Sequence, residues 1–389
     1  MSLNVLYINI RQQTGFKIEK QQEIEFWARK YRIDVIHLRE CHILEDSFAE
    51  CPFICNNFNI ITNNSLTKYG TASLIKSDLD ITNVNTDEEG RIIIMDIANH
   101  THANMYLPAG SDAASKNKRE EYFSFIIPQL LTNKKEMGIC GGDLNCVTHA
   151  IDVSRNAAQK ISPSLNRLIS LFEWEDSYRS IHKKTPIYSR YYKVNNVLEG
   201  ARLDRCYQYG GIKASKITYK SISFSDHLAM LCSFSLPSSQ RKYLPPSSHP
   251  PFKIPPHVVD DELFRAQIQD KMIQYNSVLD SGADILIWWE NLVKPGIAKL
   301  AKERKNKLNQ ESNQRLNFLH IQQCYYTSKL INGSTNSYEY LNDTNREIQE
   351  WFHNKSQIAI QKFKSDDIDQ SEKIRIYHLS ENKKTRKKN

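Results

Sequence analysis

The chain has 389 residues, a formal net charge of +8, 25% charged residues and 40% apolar ones, a balance expected of a soluble protein with one sizeable domain and a smaller region. No stretch approaches the roughly 20 apolar residues of a membrane span, and the polar N-terminus lacks the apolar core of a signal peptide, so neither membrane insertion nor secretion is expected. The eight cysteines are scattered; Cys140, Cys206 and Cys232 read as buried free thiols of a reducing compartment, and Cys51 and Cys55 find no second Cys/His pair at zinc spacing.

Residues 1 to 236 alternate short apolar strands with helical patterns, which predicts a mixed α/β domain. The first strand, near residues 3 to 8, is closed by Asn9; a helix is expected near 18 to 31, and a second strand, near 34 to 38, runs out at Glu40. Strands near 71 to 76, 91 to 97 and 103 to 107 follow, the last bearing Tyr106, and then a helical stretch near 116 to 132. A strand near 137 to 141 opens into Gly141-Gly142-Asp143-Leu144-Asn145, with a third helix near 164 to 172. Strands near 202 to 208 and 229 to 236 respectively carry Asp204 and follow Ser225-Asp226-His227.

A Pro- and Ser-rich linker over 239–257 continues neither sheet nor helix, which sets a domain at 1–238 and a helical region at 258–389. A cut at the linker is expected to leave the first domain folded. In the helical region Ile285, Trp288, Trp289, Leu292 and Val293 form a stripe expected to be a packing face. Lys299, Lys302, Arg304, Lys305 and Lys307 lie along a solvated helix suited to a nucleic-acid backbone. The run Lys383-Lys384-Thr385-Arg386-Lys387-Lys388 reads equally as a nuclear-import or nucleic-acid patch and as a solvated end.

Asp143, Asn145, Asp226 and His227 supply two carboxylates, an amide and an imidazole where strands give way to loops, a set suited to metal-assisted phosphodiester cleavage. In an extended segment Asp143 and Asn145 point to one side and Leu144 into the core, and the paired glycines let the backbone pass close to a phosphate. Asp226 and His227 are adjacent, so both reach one site only from a turn. A hard cation such as Mg²⁺ takes oxygen ligands and keeps several waters, so Glu40 and Asp226 would suffice. Asp204 can accept the Nδ1 proton of His227, and Tyr106 can donate to a phosphate oxygen. Singly, each residue is better explained as a cap, a solvated charge, a half-buried aromatic or a loop histidine. Their joint occurrence carries the reading.

With these residues in place the chain resembles the endonuclease/exonuclease/phosphatase superfamily, which includes DNase I and the apurinic endonucleases, and within it the endonuclease of LINE-type retrotransposons. The family pattern is met in order by Asn9, Leu38-Arg39-Glu40-Cys41-His42, Tyr106-Leu107-Pro108, Gly142-Asp143-Leu144-Asn145, Arg202-Leu203-Asp204-Arg205 and Ser225-Asp226-His227. Arg39 stands where the family has Gln, and Cys41 where it has Thr. The resemblance implies a four-layer α/β sandwich of two packed mixed β-sheets flanked by helices, followed here by a connector-like helical extension. It also implies an enzyme that nicks DNA to leave a 3′ hydroxyl. Glu40, helped by Asp226 and Asn9, would hold the metal, expected to be Mg²⁺ or Mn²⁺. Asp143, oriented by Asn145, would position or activate the water, and His227 paired with Asp204 would stabilise phosphoryl charge or act as base. Ser189 matches a DNA-contacting position, with Arg190 beside it.

DNA is the expected partner, in the nucleus, with no membrane and no small-molecule cofactor. The rival readings are an apurinic repair enzyme, a phosphatase of the same fold acting on sugar or inositol phosphates, and a non-catalytic nucleic-acid-binding remnant of a mobile element.

Overall fold

A computed structural model describes residues 2–11, 16–43, 47–48, 51–65, 70–155, 161–236, 254–280, 282, 284–358 and 360. The expected linker lies outside these residues as far as position 253, and so does the basic run at 383–388. The chain forms two compact units, one made of Met1–Pro245 with Ile321–Phe352 and the other of Pro246–His320 with His353–Asn389. Among the described residues no helix is long and apolar enough to cross a membrane.

The first unit is a four-layer sandwich. One six-stranded sheet comprises β1 (Ser2–Asn9), β2 (Val35–Arg39), β3 (Phe58–Asn64), β4 (Gly70–Lys76), β13 (Lys213–Lys220) and β14 (Ala229–Ser235), in the order β13-β14-β1-β2-β4-β3. The other comprises β5 (Ile81–Thr86), β6 (Ile92–Ile97), β7 (His100–Tyr106), β8 (Gly138–Asp143), β9 (Glu175–Asp176) and β12 (Asp204–Tyr209), in the order β5-β6-β7-β8-β12-β9. A separate ribbon pairs β10 (Arg190–Val194) with β11 (Val197–Ala201). Each large sheet is mixed, with one parallel pair at its centre: β1 with β2, and β7 with β8.

Alternation along the central strands assigns the faces. Leu3, Val5 and Tyr7 of β1, Val35 of β2, Ile139 of β8 and Cys206 of β12 share the core between the sheets. Leu6, Ile8, Ile36 and Leu38 turn outward onto α1 (Ile18–Lys30), whose Ile24, Trp27 and Ala28 cover them. Ala103, Met105, Cys140 and Tyr207 turn outward on the other sheet to meet Tyr122, Phe123 and Ile127 beyond α2 (Ala113–Glu121), and Leu165 and Leu168 of a helix at Pro163–Leu171. Both faces of the central strands are thereby buried, which is why these strands read as largely apolar runs.

The first unit is discontinuous in sequence. Leu330, near the end of a helix at Lys294–Ile331, and Leu341, on the helix at 337–358, join the inter-sheet core cluster. The second unit holds a small core of Val258, Phe264 and Ala301, and Arg304 binds Asp261 through two hydrogen bonds of 2.7 and 2.8 Å. The stripe expected to be a packing face is buried only at Val293; Ile285 is 62% exposed and Trp289 44%. Its helical period is present, but the face it makes is largely open to solvent.

Candidate active site

The same alternation that builds the core brings the polar residues together. Asn9 continues the inward parity of Leu3, Val5 and Tyr7, and Arg39 that of Val35 and His37. Asp143 follows Ile139 and Gly141, Asp204 shares the face of Cys206, and Tyr106 that of His102 and Asn104. Strand register places these ends side by side: Asn9 opposite Arg39, Tyr106 opposite Asp143, and Asp143 opposite Asp204. At that end of the sandwich the apolar filling gives way to side chains that can do chemistry.

Glu40 lies one residue past β2 with a left-handed backbone (φ 49°), and its Oε1 accepts a hydrogen bond from Asn9 Nδ2 at 3.0 Å. The same amide nitrogen lies 3.4 Å from Asp143 Oδ2, so Asn9 links the carboxylates of the two sheets. Tyr106 is buried (3% exposed) beside both; burial, then Glu40 and Asp143, raise the pKa of its phenol and keep it a proton donor.

Asp143 is followed by a turn rather than an extended segment. Asn145 is left-handed (φ 49°), its backbone N–H donates to Asp143 Oδ1 at 3.1 Å, and its side chain donates to the Leu107 carbonyl at 2.8 Å. The amide of Asn145 therefore braces the loop, and its backbone orients the carboxylate. The glycines serve sheet packing: a Cβ at Gly142 would lie 1.8 Å from the Met105 carbonyl oxygen, and one at Gly141 would lie 2.8 Å from the Tyr7 ring.

His227 sits in the turn before β14, where its backbone N–H donates to Ser225 Oγ at 3.1 Å. This turn is what lets both Asp226 and His227 face the site. His227 Nδ1 is 2.7 Å from Asp204 Oδ2 and 3.9 Å from Asp143 Oδ2. Burial opposes the charge of the imidazole, but Asp204 and Asp143 outweigh it and lift its pKa to about 9. Asp143 is pushed up by burial and by Asp204. Asp204 is also buried, yet His227 and Arg39 hold it below the usual carboxylate range. The site thus keeps a cationic imidazole against one firmly ionised and one readily protonated carboxylate.

Arg39 is the residue that motif reasoning passed over. Its guanidinium is fully buried and donates to Asp204 Oδ1 at 2.8 Å across the gap between the sheets. The signal was its parity with Val35 and His37. Asn104 is a second such residue, fully buried and donating to the carbonyls of Leu38 and Ala72 at 3.1 and 2.9 Å.

Ser189, expected on the surface against DNA, is fully buried, and its hydroxyl accepts from the backbone N–H groups of Leu203 and Asp204, both at 3.0 Å. It fixes the start of β12 instead of meeting solvent. Arg190 does reach the site, donating to Asp226 Oδ2 at 2.9 Å. Arg202 is an internal clamp, donating to Asp152 at 2.8 and 3.0 Å and to Asp176 at 3.0 Å.

Asp143, Asp204 and His227 each bring one possible metal-ligand atom within 4.8 Å of the other two. In this trio Asp204 already spends one oxygen on Arg39 and the other on His227, the arrangement of a hydrogen-bonded array. Glu40 and Asp143 offer carboxylate oxygens linked by the Asn9 Nδ2 donor, a chemistry that fits a hard divalent cation, whereas Asn9 Oδ1 accepts from the Arg11 backbone N–H at 3.0 Å and Asp226 accepts from Arg190.

The sandwich and the placement of its strand ends define a DNase I-like fold. The structure is similar to that of an AP endonuclease from Archaeoglobus fulgidus, with TM-score 0.51 and 18% identity over 60% of this chain and 100% of that one. It is also similar to a 3′ phosphatase, NExo, from Neisseria bound to a product DNA hairpin, with TM-score 0.51 and 14% identity over 60% of this chain and 100% of that one. No protein-family model matches the sequence, and neither does any curated protein.

Proposed function

We propose that this chain is a divalent-metal-dependent DNA endonuclease, derived from a LINE-type retrotransposon and acting in the nucleus, that hydrolyses a phosphodiester bond to leave a 3′ hydroxyl. The observation that carries this reading is the array Arg39–Asp204–His227 set against Asp143, at the same strand ends as Asn9 and Glu40. Asp143, held by the Asn145 N–H, positions the attacking water and takes its proton. His227 is held by Asp204 with its Nδ1 proton inward, and the charged imidazole stabilises the phosphoryl oxygens as negative charge builds. Tyr106 adds a neutral donor. A cation, Mg²⁺ or Mn²⁺, held by Glu40 with Asp226 and Asn9 would neutralise phosphoryl charge.

The relatives in fold named above, an AP endonuclease and a phosphatase bound to product DNA, support DNA as the substrate. They also favour a second reading, apurinic repair. Purified protein is incubated with supercoiled plasmid, intact or depurinated, with Mg²⁺, Mn²⁺ or chelator. Metal-dependent nicking of both plasmids supports the endonuclease reading, cleavage confined to depurinated plasmid supports repair, and no cleavage of either with any metal overturns both.

A further inference from the structure

The turn that carries Asp226 and His227 has a second wall, supplied by the helix at 337–358. Asn345 is buried (9% exposed); its Oδ1 accepts from Ser221 Oγ at 3.1 Å and from Gln323 Nε2 at 2.7 Å. One turn further along, Gln349 Nε2 donates to the Ser223 carbonyl. These bonds tie the helix to the segment just before the Ser225-Asp226-His227 turn. Between helix and turn lies a cleft of about 480 Å³, within the roughly 300–1,000 Å³ common for ligand sites. Arg11, Tyr338, Asn342 and Arg346 line it together with Asp226 and His227.

We infer that this cleft binds the nucleotide of the cleaved strand that adjoins the scissile phosphate, with Arg346 on a backbone phosphate. The inference rests on the endonuclease reading. A phosphate engaged by His227 must continue along its strand on both sides, and this cleft opens from His227 itself. Two guanidiniums, those of Arg11 and Arg346, line it, and Asn342 and Tyr338 add neutral donors suited to sugar and base edges. The Arg346 side chain is 69% exposed, with its only described ion pair to Asp343 at 3.0 Å, three residues away on its own helix. Such an exposed pair contributes little to stability, which leaves the guanidinium available to a ligand. Arg11 and the turn of Asp226 and His227 form one wall of this subsite, and the other, with Arg346, comes from a segment more than a hundred residues downstream.

The test uses the full chain. Arg346→Ala and Arg346→Lys are compared with wild type, and with Arg265→Ala as a control at an exposed arginine of the other unit. Binding of a fluorescein-labelled DNA duplex of about 20 base pairs is followed against salt, and nicking is resolved into kcat and KM. Arg346→Ala should raise KM and Kd roughly 3- to 10-fold, lower the salt slope by about one, and leave kcat within about twofold. Arg346→Lys should keep the slope, and the control should match wild type. Circular dichroism and Tm confirm that the variants are folded. If wild type nicks and Arg346→Ala keeps its KM and slope, the cleft assignment is overturned while the endonuclease reading stands. If wild type neither binds nor nicks DNA, the endonuclease reading falls and takes the cleft with it.

Discussion

Arg39 and Asp204 form an ion pair of 2.8 Å in which neither side chain is exposed, and it joins the two sheets directly beneath His227. A charge buried in this way is costly unless it is matched, so each partner depends on the other. Arg39→Leu would leave Asp204 with His227 as its one cationic neighbour and should cost about 3 kcal/mol of stability. Arg39→Gln retains a donor for Asp204 and should cost less. Urea unfolding of the two variants checks the order; equal losses would show that the carboxylate does not need a donor from β2.

The catalytic assignment predicts that Glu40→Ala, Asp143→Ala and His227→Ala each lower metal-dependent nicking by roughly 10²-fold or more, because each removes a group acting on the transition state. Two folded variants at wild-type rates would refute the site. Asp204→Asn should depress kcat far more than DNA affinity, since an amide cannot hold the imidazole charged and oriented as a carboxylate does. Comparable losses in both would remove Asp204 from that role.

Glu23 gives stability an unusual pH dependence. It sits on α1, 1% exposed, accepting hydrogen bonds from the backbone and hydroxyl of Ser223. Burial outweighs these donors and pushes its pKa from 4.5 to about 7. Because the folded state holds this proton more tightly than the unfolded chain, the contribution is complete below pH 4.5 and is lost as pH rises through about 7. The loss is about 3 kcal/mol across that window. Glu23→Gln, which stays neutral, should remove this component of the pH dependence. Denaturant titrations at pH 5 and pH 8 would show it, and identical slopes for variant and wild type would exclude it.

A chain ended near residue 240 should lose nicking. The cut removes Leu330 and Leu341 from the inter-sheet core, each worth about 1.5–3 kcal/mol when buried, and it frees Ser221 and Ser223 from Asn345 and Gln349. A soluble, fully active product would show that the helix at 337–358 is dispensable. Plasmid nicking by the purified fragment, beside the full chain, measures this directly.

The sequence by itself determined the central strands, because residues packed on both faces must be largely apolar, and it set Asn9 and Asp143 where such runs end, Asp204 on another and His227 just before the last. The edge strands β5 and β13 escaped notice because they face solvent: Ile81–Thr86 is almost wholly exposed, and Lys213–Lys220 alternates only in its second half. Nor could periodicity distinguish a covered apolar helix face from the open one at Ile285 and Trp289, since the hydrophobic period is the same in both. Only the tertiary structure decided that Arg39 points at Asp204, that Ser189 braces β12 from within, and that Asn345 and Gln349 return to hold the segment leading to His227. Each of these is a contact between segments that are not neighbours in the chain, and its energy depends on burial and direction that local sequence does not encode.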